Sequence, residues 1–190
     1  APSRGLGDVY KRQDDVISIC QKALTQITAD SKKEVVSDFY SILGDAYHTK
    51  DLNTEAYAAY DSALVYNPSN IGALNNYAYY LSVERRNLDK AEEMSYKTVK
   101  AESDNATYLD TYAWILFEKG NYAEARLYID DAMKSDGGKS DVIVEHCGDI
   151  YYMTGDVDKA LEYWNQALKI GSKSKTLQEK IRKKKYISDK

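Results

Sequence analysis

The stretch Tyr40-Ser-Ile-Leu-Gly-Asp-Ala-Tyr47, followed by Ala56, Tyr60, Ala63 and Pro68, decides the reading of this chain, because the same arrangement returns three times. The second appearance has Leu74, Tyr77, Ala78, Leu81 and Ala91. The third has Leu109, Tyr112, Ala113, Leu116, Gly120, Ala125, Ile129 and Ala132, and the fourth Val144, Cys147, Gly148, Tyr151, Gly155, Ala160, Trp164 and Ala167. The units start at Ser37, Ile71, Ala106 and Asp141, spaced 34, 35 and 35 residues apart. Self-similarity at such a period marks a stack of like supersecondary units, none of which can bury its apolar face alone.

The chemistry of the repeat predicts two helices per unit. Gly44, Ala78, Ala113 and Gly148 are the small residues that let a first helix approach its partner, and Ala56, Ala91, Ala125 and Ala160 do the same from a second. Large residues three and four positions away fall on the same face of a 3.6-residue helix. Turn signals separate the two helices at Lys119-Gly-Asn121 and Thr154-Gly-Asp156, and separate units at Asn67-Pro-Ser-Asn70, Ser103-Asp-Asn105 and Asp136-Gly-Gly138. The second unit carries one extra residue near Arg86-Asn87.

The spacing of Tyr40, Leu43, Gly44 and Tyr47, then Ala, an aromatic and Pro, resembles the tetratricopeptide repeat. That resemblance implies an all-α, right-handed superhelix with four full repeats at 37–70, 71–105, 106–140 and 141–174. Asp14 to Ala29 reads as the second helix of a partial N-terminal repeat. Residues of about 175–187 read as a polar capping helix, with Leu177 and Ile181 covering the last repeat. The whole of 14–190 is expected to form one solenoid. Residues 1–13 lack a helical period, and Asp8-Val-Tyr-Lys-Arg-Gln13 resembles the translation of a sequencing-library adaptor. They are expected to be a non-native or disordered segment, outside the fold pattern.

Composition excludes several functions. The charge balance of 26 Lys+Arg against 30 Asp+Glu leaves a net −4, which argues against binding nucleic acid through phosphate neutralisation. The longest apolar runs, such as Tyr112 to Phe117, fall far short of the roughly 20 residues a membrane span needs. Cys20 and Cys147 make no disulfide framework, and no metal cluster is evident. His146 and Cys147 are adjacent, so on a helix they diverge by about 100° and cannot form a nucleophile–base pair. Gly138-Lys-Ser140 lacks the leading glycine of a phosphate-binding loop, since residue 133 is Met133. Asn105-Ala-Thr107 fits a glycosylation acceptor by spacing but sits where a helix would be capped, and the run Lys180-Ile-Arg-Lys-Lys-Lys185 reads as a solvated helix end.

The expected function is therefore a non-catalytic protein-interaction scaffold, without cofactor, that is monomeric and binds a protein or peptide. The family resemblance implies that the first helix of each unit lines a concave groove. Of the positions it assigns, the candidates are Asp45, His48, Asn75, Tyr79, Asp110, Trp114, Phe117, Glu145, Asp149 and Tyr152. Acids with an aromatic cluster and no Lys or Arg predict a basic or basic–apolar partner segment. Trp114 lies off the repeat's core positions, which makes it either a binding anchor or extra packing between repeats. The carboxylate-binding variety of the family is disfavoured because its cations are absent. A rival occupant of the groove is the chain's own basic C-terminal helix around Arg182 and Lys184. The alternative function is an interaction module of a larger enzyme or envelope-assembly protein. The second and third units resemble bacterial cell-envelope repeat proteins, which favours the envelope over the cytoplasm.

Overall fold

The computed structural model describes residues 2–189, with side chains from residue 5 onward. The described residues contain ten α-helices and no strand: α1 (Pro2–Leu24), α2 (Lys33–Thr49), α3 (Asn53–Tyr66), α4 (Ile71–Glu84), α5 (Leu88–Ala101), α6 (Ala106–Glu118), α7 (Tyr122–Ser135), α8 (Asp141–Met153), α9 (Val157–Ile170) and α10 (Leu177–Lys183). A 3-10 turn, Gly137–Lys139, joins α7 to α8. None of these helices is long and apolar enough to cross a membrane.

The helix boundaries follow from local chemistry. Asn105, Ser140 and Asp156 cap α6, α8 and α9, their side-chain oxygens accepting from the backbone N–H groups of Tyr108 (3.2 Å), Ile143 (3.3 Å) and Lys159 (3.1 Å). Asn105-Ala-Thr107 and Gly138-Lys-Ser140 are thus helix entries. Every first helix ends on one backbone motif. The fifteenth residue of each unit is left-handed: Asp51 (φ 60°), Arg85 (φ 56°), Gly120 (φ 84°) and Gly155 (φ 92°). The residue after it donates its N–H to a carbonyl five positions back, as in Leu52 to Tyr47 (2.9 Å) and Asn121 to Leu116 (2.8 Å). The second unit's additional residue is Asn87, itself left-handed at φ 47°.

Contacts divide the chain into two compact units, Ala1–Tyr77 and Ala78–Lys190. In the first, α1 packs on α2 and α2 on α3. Gly44 allows this approach: a Cβ there would stand 2.7 Å from the Tyr60 ring. Tyr60, Ala56 and Ala63 are wholly buried, and Ser37 Oγ ties the pair by donating to the Ala63 carbonyl at 2.7 Å. Helix α1 differs from its expected bounds at both ends. It runs through the segment set aside as non-native or disordered, from Pro2, a residue tolerated at a first helical position because the missing N–H costs nothing there. It stops at Leu24 rather than Ala29, where a turn follows in which Thr28 N–H donates to Ser31 Oγ (2.9 Å). Two side-chain links hold α1 to the turn after α2: Tyr10 donates to Asp51 (3.1 Å), and Lys50 pairs with Asp14.

In the second unit, α6 packs on α7, α7 on α8, α8 on α9, and α10 on α9. One core joins them, including Leu109, Leu116, Ile129, Val144, Cys147, Ile150, Trp164 and Leu177. Gly148 plays the part of Gly44, since a Cβ there would lie 2.6 Å from the Trp164 indole nitrogen. Leu177 is 1% exposed and Ile181 packs against the same core. The C-terminal helix is shorter than expected, ending at Lys183 because Lys184 turns left-handed (φ 54°). That turn redirects the last residues onto α6 and α8.

Candidate functional site

The side of α6 and α8 that meets the C-terminal segment is where the second unit gathers its polar chemistry. Glu145 and Asp149 stand four residues apart on α8, hence on one face. Both are buried, at 7% and 3% exposure, which a carboxylate tolerates only with a cation and hydrogen bonds. The cation is Lys180 of α10. Its ammonium lies 2.6 Å from Glu145 and 2.8 Å from Asp149, and the residue is 2% exposed. Asp149 Oδ1 also accepts from the Trp164 indole N–H at 3.0 Å. Glu145 accepts from the hydroxyls of Ser172 (3.2 Å) and Ser174 (2.7 Å).

A second buried polar pair lies beside it. His146 Nδ1 is 2.8 Å from Asp110 Oδ1, with side chains 12% and 8% exposed. Trp114 is stacked between His146 (centroids 4.0 Å apart) and Phe117 (4.3 Å), so both indole faces are covered. This is packing between consecutive repeats, the second of the two roles expected of Trp114, and its indole offers no free face to a partner. Tyr186 of the C-terminal segment meets Phe117 edge-on at 5.3 Å. Arg85 completes the arrangement: its guanidinium pairs with Glu118 (2.7 Å) and donates to Ser188 Oγ (2.6 Å). Thr176 donates to Asp189 at 2.9 Å, closing the C-terminal segment on itself.

Burial and charge oppose each other here. Burial pushes the Asp149 carboxyl up to about 6, although Lys180 pulls it down. Burial also disfavours charge on His146 and Lys180, but the facing carboxylates outweigh it, and both are raised above their ordinary values. Burial raises the phenols of Tyr79 and Tyr186, each to about 12.

The structure brings together six of the ten candidates, Tyr79, Asp110, Trp114, Phe117, Glu145 and Asp149. The negative field expected from their acids is opposed from within by the Lys180 ammonium. Sequence reasoning missed the partners of these acids, Lys180 and His146. Arg182 and Lys184, the residues expected to place the C-terminal helix in the groove, are exposed; Arg182 pairs with Glu179 on its own helix at 2.7 Å. Lys180, read from sequence as part of a solvated helix end, is the one that enters. Tyr152 is half-buried and stacks on Trp164 (5.9 Å), away from the α6 aromatics. The other three candidates belong to the first unit. Asp45 accepts from the Tyr60 hydroxyl and from Asn76 (3.0 Å), Asn75 is buried, and His48 is half-buried. Between the C-terminal segment and α8 remains a cavity of about 310 Å³, lined among others by Tyr79, Asp141, Val142 and His146.

The tetratricopeptide repeat family model matches residues 145–173. The pattern of helix pairs is shared with solved structures across nearly the whole chain. A thermophilic tetratricopeptide protein of Thermus thermophilus, TTC0263, aligns at 15% identity over 95% of each chain, with a TM-score of 0.69. The chain has the fold of tetratricopeptide repeat proteins. Two further likenesses are pilF of Pseudomonas aeruginosa (14% identity, 95% of this chain and 88% of that one, TM-score 0.63) and YrrB (18%, 80% and 74%, TM-score 0.62), described as a tetratricopeptide protein with an unusual peptide-binding site. At these identities the likeness is one of fold. No curated protein matches the sequence.

Proposed function

We propose that this protein is a non-catalytic interaction scaffold that takes up a basic and apolar partner segment along the same side of α6 and α8. The observation that carries the reading is the seating of the chain's own C-terminal segment there: Lys180 between Glu145 and Asp149, and Tyr186 against Phe117. A surface that receives a lysine and an aromatic ring from its own chain has the chemistry to receive them from another. YrrB, with its peptide-binding site, lends support by fold alone.

The test uses the full chain, immobilised, and cell extract applied at low and at high salt. A partner held by this face should be released by salt, because exposed attraction is screened within about 10 Å at 0.1 M. Retention should fall by about tenfold or more in Tyr79→Ala/Asp141→Lys, which leaves Lys180, Glu145 and Asp149 in place. Equal retention by the variant places binding elsewhere on the molecule.

A further inference from the structure

We infer that the C-terminal segment is an exchangeable resident ligand of this groove, holding the place of a partner segment in which a lysine is followed six residues later by an aromatic side chain. The inference rests on the interaction reading above and specifies its partner. The template is Lys180 and Tyr186, the two residues of the segment that seat against α8 and α9 and against α6 respectively.

Three features mark the segment as a ligand rather than a continuation of the solenoid. First, α10 has only seven residues and then breaks at the left-handed Lys184. A helix that short does not persist in water, so its order depends on what it docks against. Second, its polar contacts are ones a separate peptide would make: an ammonium between two carboxylates, a ring edge on Phe117, and a hydroxyl on Arg85. Arg85 reaches Ser188 from a left-handed backbone position that two of the four repeats give to glycine. It acts as a latch on the end of the segment. Third, the segment does not fill the groove. The cavity of about 310 Å³ beside Tyr79, Asp141 and His146 is room that an incoming segment can occupy and the resident one does not. This surplus matters because a tethered ligand competes at an effective concentration in the millimolar range. A partner that merely copied the tail would lose; one that also fills the cavity gains contacts the tail lacks. The lining there sets Asp141 against Lys173 beside Tyr79, Val142 and Trp114, so the added contacts are apolar and aromatic ones with a polar rim.

The experiment uses a fluorescein-labelled peptide of residues 175–189 and the full chain, read by anisotropy. The wild type should bind it weakly, because its own segment competes. Arg85→Gly/Tyr186→Ser should bind it at least tenfold more tightly. Glycine suits the φ of 56° at Arg85, the two changes loosen the whole segment including α10, and circular dichroism checks that the rest of the fold is kept. A peptide carrying Lys180→Ala should bind the opened chain at least tenfold more weakly. Equal binding to wild type and variant, or indifference to the peptide's lysine, overturns the inference. So does conversion of the variant to a dimer by light scattering, which would make a second copy's C-terminal segment the occupant. These results leave the retention experiment on Tyr79 and Asp141 independent, so the two readings fail separately.

Discussion

Replacing Lys180 by methionine removes the cation from between two buried carboxylates while keeping most of the side-chain volume. Lys180 lies 2.6 Å from Glu145 and 2.8 Å from Asp149, with only 2% of its side chain exposed. Breaking a buried pair by deleting one partner costs about 3–5 kcal/mol, because the remaining charge is stranded. In a chain of 190 residues, each kcal/mol moves Tm by about 2–4 °C, so a fall of about 6–20 °C is expected at pH 7. The loss should shrink at pH 5. Asp149 already holds its proton up to about pH 6 with the lysine present, and without it protonation becomes easier still. Neutralising the partners as well, in Lys180→Met/Glu145→Gln/Asp149→Asn, should recover most of the stability, since a buried ionic group replaced as a set by neutral groups is often close to neutral in cost. Thermal unfolding followed by far-ultraviolet circular dichroism at the two pH values reads all three outcomes. A drop below 2 °C for the single variant, or a triple variant less stable than the single, would refute the reasoning.

Other perturbations test separate parts of the account. Gly148→Ala should destabilise by about 1–3 kcal/mol, because its new Cβ would press on the Trp164 ring. Gly72→Ala has only Asn70 Oδ1 near, at 3.7 Å, and should stabilise by about 0.5–1 kcal/mol through helix propensity; denaturant melts of the two variants compare them. Trp114→Ala should cost about 3–5 kcal/mol of stability, since the indole is stacked on both faces, and an unchanged melt would return it to the role of a free anchor. Asp149 has a folded pKa of about 6, above its unfolded value near 3.9. Its contribution is therefore complete below about pH 4 and lost as pH rises through 6, and Asp149→Asn should remove that part of the slope when stability is measured across this range.

The repeat was legible because small and large residues recur at fixed positions and the structure buries them: Leu43, Ala78, Ala113, Cys147 and Trp164 all lie in cores. The added residue at Asn87 was legible as a shift in period. The lining of the candidate site was read from position alone, which says where a side chain starts but not what covers it. Two signals carry the missing part. Leu177, Lys180 and Ile181 fall at i, i+3 and i+4, so the lysine shares the helix's apolar face and is carried inward with it. His146 lies 36 residues after Asp110, about one repeat period, which places an acid and a base at neighbouring positions on adjacent first helices. Neither shows in a local charge count, where the basic run 180–185 averages to a solvated end. The helical extent of α1 was hidden for a similar reason: residues 5–12 form exposed or half-buried turns without an apolar stripe.

The C-terminal segment sits on α6 and α8 through Lys180 and Tyr186, and everything proposed for this face depends on that seating. Nuclear Overhauser contacts between the ring protons of Tyr186 and Phe117, whose centroids lie 5.3 Å apart, test it most directly in the full chain. The account predicts clear cross-peaks at pH 7, together with dispersed shifts for residues 177–188. Random-coil shifts from Leu177 onward, with no contact from Tyr186 to the α6 aromatics, would contradict it.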